Sequence, residues 1–355
     1  MKMTLSRQTT VVARTANGGA TSGGLRTVAV LLWGLAGACS RPATPALDPA
    51  IPELREWQLV PYALPEPWSN RDTEVSGLAW WGDSLVLLPQ YPSRVNQQLA
   101  VVDSEQLASD APLTPTFLTL TNPEVVETIP GFEGLESISF QGETFAVTVE
   151  ARQGGDMTGH LVVGTVDAAA RTLTFRADCV VPLSMPAQLD NKSFESVVPW
   201  QGGWLALYEV NGELEVPDTF GVFVSGECVA DQRDVPSLPY RLTDAVLLDT
   251  VGTLAVLNYH WPGETELVSP DTAIRSRWGV GTSHRTQPHV ERIVFWRVDA
   301  DGTVTVDERA PVWFSLEPGV ARNWEGLVGW QDGFLVVTDK HPGTILARVV
   351  PSGGP

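Results

Sequence analysis

Five stretches of the chain repeat one order of apolar and polar positions. Residues 136–150 (ESISFQGETFAVTVE) set the pattern, and residues 76–90 (SGLAWWGDSLVLLPQ), 195–209 (ESVVPWQGGWLALYE), 244–258 (DAVLLDTVGTLAVLN) and 325–339 (EGLVGWQDGFLVVTD) match it without gaps. Each copy opens on an oxygen-bearing residue and closes fourteen positions later on Gln, Glu, Asn or Asp. Between these ends, two apolar, β-branched or aromatic runs flank a glycine: Gly82, Gly142, Gly202, Gly252 or Gly333. That is a β-hairpin pattern. Its recurrence at intervals of 60, 59, 49 and 81 residues is the signature of a repeat architecture.

A second pair of strands follows most copies: 98–103 with 116–120, 160–167 with 171–180, 219–228 with a following strand, and 292–298 with 303–307. The last copy is followed only by residues 344–350, one strand short, while WQLVPY at residues 57–62 has no hairpin partner. Pairing the two would close the molecule and remove an exposed edge. The predicted fold is an all-β propeller of five four-stranded blades completed by the N-terminal strand. The alternative is six blades, the sixth lying in the polar segment 261–287, which otherwise reads as a long loop on the hairpin-end face.

Composition fits one large β domain, residues 57–355. With 23 basic and 42 acidic residues the formal charge is −19, which disfavours nucleic acid and leads us to expect no such partner. Residues 1–38 hold Lys2, Arg7, Arg14 and Arg26, no acid, and an apolar run ending LWGLAGACS. This reads as a signal peptide. The cysteine after small residues resembles the lipobox of bacterial lipoproteins, which implies lipidation of Cys39, a Pro/Ala-rich tether over 39–56, and a monomer held at the cell envelope, on the outer membrane where the host has two. The plain alternatives are an ordinary secretory signal or a membrane anchor. Two cysteines remain, Cys179 and Cys228, and an even pair in an oxidising compartment predicts a disulfide, against two unrelated buried thiols.

If the hairpin ends meet around an axis, Ser76, Glu136, Glu195, Asp244 and Glu325 form a ring, with Gln90, Glu150, Glu209, Asn258 and Asp339 outside it. Converging carboxylates must be relieved by protonation, by an Arg or Lys, or by a cation. An all-oxygen set suits Ca²⁺. The competing reading is a water-filled channel with hydrogen-bonded acids. Arg94, Arg152, His260, Lys340 and His341 follow hairpin ends, as do Tyr91, Asn211 and Trp261, while Arg71, Lys192 and Arg322 precede ring positions. His284 and His289 read as solvated loop residues, and Asp299–Asp301 as either a hairpin turn or the start of a calcium loop.

The mature chain resembles the soluble calcium-activated nucleotidases, or apyrases, whose five-bladed propellers hold an axial Ca²⁺ in phase with the ring residues above. The phrases FEGLESI, SFESV and RNWEGL resemble bacterial esterase-like phytase repeats. Where apyrases carry an acidic, arginine-containing segment, this chain reads LLPQYPSR, which speaks against nucleotides. The resemblance implies a calcium-dependent hydrolase of phosphate or other small anionic esters. There Glu150, Glu209 or Asp339 would serve as base, and Gln90, Arg94, Arg152, Asn258, His260 and Lys340 would surround the substrate. The alternative is a non-catalytic surface module with a structural calcium, binding a glycan or protein through Trp261, Tyr259 and Tyr91.

Overall fold

The computed structural model describes residues 51–353 except residue 340. The expectations placed on Cys39, on the signal and most of the tether, and on Lys340 lie outside the described residues. Every repeated stretch forms an antiparallel hairpin: Val75–Trp81 with Ser84–Pro89, Phe132–Gln141 with Thr144–Gln153, Phe194–Trp200 with Gly203–Tyr208, Leu238–Leu247 with Thr253–His260, and Trp324–Trp330 with Gly333–Thr338. The second strand of each is buried on both faces, which explains its nearly continuous apolar run.

Further strands extend each hairpin outward, as Gln98–Asp103 and Thr116–Leu120 do for the first. Trp57–Pro61 pairs with Leu346–Pro351, so the N-terminal strand is the outermost strand of the last sheet. The first strands of the hairpins pack on one another in sequence order, and the last packs on the first. The closing core joins Leu78, Leu85 and Leu87 to Val328, Leu335 and Val337. The architecture is β-propeller-like. Cys179, in the strand Thr172–Leu183, is disulfide-bonded to Cys228, with the Cα atoms 5.5 Å apart, and ties the second hairpin's sheet to the third's.

Residues 261–287 are neither a structureless loop nor a sixth hairpin. They hold a helix at Thr272–Trp278, a short strand at Val280–Gly281 parallel to Glu53–Leu54, and a 3-10 turn at Ser283–Arg285. His284 and His289 are buried here, contrary to the solvated reading. His284 Nδ1 lies 3.0 Å from Glu56 Oε1, and its Nε2 accepts the Glu291 N–H at 3.2 Å. Residues 299–303 form a tight turn, with Asp301 Oδ1 accepting the Thr303 N–H at 3.0 Å.

Candidate active site

A β-bulge near the start of each hairpin shapes the site. In the first hairpin Val75 pairs with Pro89 and Gly77 with Leu88, so Ser76 is the extra residue. Glu136, Glu195 and Glu325 are the extra residues of the second, third and fifth. A bulge re-aims one side chain out of the alternation, and here it turns a polar residue off a buried strand. These four line a common cavity of about 410 Å³, together with Glu74, Gln90, Tyr91, Glu133, Glu150, Arg152, Asn191, Arg241, Asn323, Asp339 and His341.

The fourth hairpin breaks the expected pattern. Its extra residue is Thr243, because Leu242 pairs with Asn258 and Asp244 with Leu257. Two-residue loops close the other hairpins, whereas residues 249–252 make a four-residue loop here, with Asp249 Oδ1 accepting from Val251 N and Thr253 N. A gapless match therefore enters this copy one residue late and leaves it one residue early. A one-residue slip moves side chains to the other face, so Asp244 and Asn258 do not belong to the cavity. Asp244 instead accepts the N–H groups of Leu327, at 2.7 Å, and Ala245, bridging to the fifth hairpin. Asn258 accepts from Arg292 at 2.8 Å. In true register Arg241 and Tyr259 pair at the hairpin's open end, and Arg241 lines the axial cavity.

Arg241 is what the sequence reading missed. Its Nε donates to Glu209 Oε1, its Nη1 to Asn323 Oδ1 at 2.9 Å, and its Nη2 to Glu325 Oε1 at 3.0 Å. Lys192 lies 3.4 Å from Glu209 Oε1 and donates to Glu264 Oε1 at 2.9 Å. The converging acids are thus met by a guanidinium and an ammonium. Glu209, one of the predicted bases, is fully buried and held between these two cations. The signal was legible in principle: Arg241 stands two places before the extra residue Thr243, as Asn323 stands before Glu325.

The other acids have few partners. Glu136 accepts from Gln90 Nε2 at 3.0 Å, and any Cβ at Gly134 would meet Gln90 Cγ at 2.5 Å, so the glycine makes room for this contact. Glu195 has no hydrogen-bond partner among the described residues, and Oε2 of Glu209 and of Glu325 is buried without one. Burial, reinforced by the charge of Glu150, holds Glu136 well above the usual carboxylate range. Burial and Glu209 do the same to Glu195. Burial raises Glu150 to about 7, with Glu209 and Glu133 adding to it and Arg152 opposing. It raises Glu325 to about 8 in spite of Arg241. For Glu264 burial is outweighed by Arg241 and Lys192, which keep its carboxyl below the ordinary range.

The remaining predicted residues divide between cavity and periphery. Arg152 lines the cavity but bonds Glu133 at 3.0 Å and Asp190 at 2.7 Å. Arg94 lies 4.0 Å over the Tyr91 ring and pairs with Glu74 at 3.1 Å. Asp339 lines the cavity beside Asn323. His260 stacks on Tyr240 with ring centres 4.3 Å apart. Arg322 bonds Glu291, and Asn211 donates to the Tyr208 carbonyl. Among the described residues no group of three or more His, Cys, Asp or Glu is gathered for a metal ion.

No known family profile matches the chain, and no curated protein matches it. Solved structures of similar architecture include a member of the GH130 mannoside phosphorylase family, which contains hydrolases of β-1,2-mannosidic linkages in Candida mannan (TM-score 0.41, 8% identity, 86% of this chain and 98% of that one). Others are a β-1,2-mannobiose phosphorylase from Listeria innocua (TM-score 0.45, 9% identity, 84% and 92%) and the Bombyx mori GH32 β-fructofuranosidase (TM-score 0.45, 12% identity, 84% and 65%). Likenesses this distant carry no activity across. They do not extend the resemblance to apyrases or phytases. With Arg241 and Lys192 standing among the acids where a metal cation was expected, the expectation of a calcium-dependent phosphoester hydrolase, or of a calcium-stabilised binding module, is withdrawn.

Proposed function

We propose that the axial cavity binds a neutral, hydroxyl-rich ligand and cleaves a glycosidic bond by carboxyl acid–base catalysis. The observation that carries this reading is the convergence of Glu136, Glu150 and Glu195 on one cavity that Gln90 and Asn323 also line. Burial biases Glu136 and Glu195 toward the neutral acid, and burial with the charges of Glu209 and Glu133 raises Glu150 to about 7. Cleaving a glycosidic bond needs one carboxyl able to protonate the leaving oxygen and one able to act as base or nucleophile. Glu150 fits the exchanging role best, since catalytic efficiency peaks for a pKa near the working pH. Both guanidinium groups lining the cavity are already committed to acids, Arg241 to Glu209 and Glu325, Arg152 to Glu133 and Asp190. That favours a neutral ligand over an anionic one. Sugar hydroxyls, which both donate and accept, suit the carboxyl and amide groups of Glu136, Gln90 and Asn323.

In this reading the sheets are five blades, each led by one repeated hairpin, with Trp57–Pro61 completing the fifth. Export, with lipid attached at Cys39, belongs to the same proposal, and the Cys179–Cys228 bond supports an oxidising compartment.

The test is hydrolysis and phosphorolysis of a glycoside panel that includes β-1,2-mannobiose, sucrose and arabinan fragments. Wild type is compared with Glu150→Gln and Glu136→Gln. The expected result is turnover of at least one glycoside, falling about 10²–10⁴-fold in Glu150→Gln with the unfolding midpoint retained. Turnover unaffected by either substitution, or no turnover of any glycoside, overturns the proposal.

A further inference from the structure

A second cavity of about 370 Å³ adjoins the axial one and shares Arg241, Asn323 and His341 with it. Its other walls are Tyr259, Glu264, Ala321 and Trp261. Trp261 is 53% exposed, one of eight large apolar side chains open to solvent among the described residues. Its indole lies over Gly263, where any Cβ would meet the ring at 2.2 Å. The turn beneath it is fixed: Glu264 N donates to the Trp261 carbonyl at 3.0 Å, and Thr265 N to the Gly263 carbonyl at 3.0 Å. Glu264 then anchors this turn into the axial network through Lys192, with Arg241 3.8 Å away. A flat apolar ring is thus held in place beside a polar cavity, although leaving it exposed gains nothing for folding.

We infer that Trp261 is the stacking platform of a second sugar subsite, so that the ligand is an oligosaccharide spanning both cavities. This rests on the saccharide reading of the axial site and names the length of its ligand. A pyranose or furanose ring carries an apolar C–H face that packs on an indole, while its edge hydroxyls reach polar neighbours such as Asn323. Amphipathic rings prefer such a surface, with one side apolar and the rim wet. The inserted segment after the fourth hairpin therefore acts as a specificity element, and Glu264 sets its position.

The experiment is calorimetric binding of gluco-, manno-, xylo- and arabino-oligosaccharides of one to six rings. It uses Glu150→Gln as background, to prevent turnover, with Trp261→Ala or Gly263→Ala added. Gly263→Ala keeps the indole but forces it off its seat, so it separates the platform's position from its presence. The expected result is binding that tightens from one ring to two or more. Both added substitutions should remove most of that gain, about tenfold in Kd, and leave single-ring binding unchanged. Single-ring binding without any gain from length, or a gain that survives both substitutions, overturns the second subsite and leaves the axial reading standing. Absence of binding at every length overturns both.

Discussion

Two clusters of buried charge lie beside the fourth hairpin, and they are completed to different degrees. Under the inserted segment, Arg292 donates from Nη1 and Nη2 to both oxygens of Asp271, each at 2.8 Å, and from Nε to Asn258. Asn258 in turn donates to the carbonyls of Pro239 and Arg241, and Arg275 adds a third bond to Asp271. Each polar side-chain atom of Asp271 and Asn258 has a partner. Around the axis, Arg241 serves Glu209 and Glu325 while Glu195 has no described partner and Glu136 has one. A fully satisfied buried network specifies structure, whereas an incomplete one leaves groups that a ligand or proton must complete. The same residue types thus build a fold on one side and a site on the other.

The sharpest break of that comparison is Arg292→Met set against Arg241→Met. Removing Arg292 leaves Asp271 Oδ1 and Asn258 Oδ1 unpaired in a closed environment, with Arg275 remaining on Asp271 Oδ2 only, a loss of about 3–5 kcal/mol. Removing Arg241 should cost less, about 1–3 kcal/mol, because Lys192 remains with Glu209 and Glu325 can take up a proton. Denaturant unfolding of both variants measures the difference. Equal losses would mean that the axial cluster is as structural as its neighbour.

The next effect is on pH dependence. Glu150 and Glu325 bind their protons more tightly folded than unfolded, with values of about 7 and about 8 against a model value of 4.5. Their contribution to stability is complete below the unfolded value and is lost as pH rises through the folded ones. The loss reaches up to about 1.4 kcal/mol per pH unit per group. Burial lowers the pKa of His160, His260, His284 and His289, so these act in the opposite direction on the acid side. The informative quantity is therefore the difference between wild type and Glu150→Gln. Stability of the variant should fall less steeply between about pH 5 and 7. Identical slopes would show that Glu150 titrates normally.

Much of the architecture was legible because it rests on local pattern. Two apolar runs around a short turn need no knowledge of their neighbours to read as a hairpin, and the unmatched Trp57 strand was an edge in need of a partner. The site was less legible because it depends on register. Thr243 and Asp244 both bear oxygen, so two residues added inside the fourth turn leave a plausible gapless match that points to the wrong face. That slip hid Arg241, and with it the cation that the acids face. The histidines of the inserted segment were misread for a related reason: polarity in the sequence implied solvent, whereas Glu56 and the Glu291 N–H satisfy His284 in the interior.

Glu195→Gln carries the smallest expected loss of stability and probes the comparison most finely. If Glu195 is a neutral acid, glutamine has nearly its shape and the same charge, so in acid, where neither state ionises at this position, the change should stay within about 1 kcal/mol. Below about pH 4.5 the two proteins should be nearly equal, since the acid is then protonated folded and unfolded alike. As pH rises, the unfolded glutamate ionises and draws the equilibrium toward unfolding, which the amide cannot do, so the variant should become the more stable protein. A loss of more than about 2 kcal/mol instead would mean that Glu195 is an ionised carboxylate with a partner of its own. Repeating the measurement in EDTA identifies that partner. A loss that disappears in the chelator requires a divalent cation beside Arg241, whereas one that persists requires a hydrogen-bond donor of the protein.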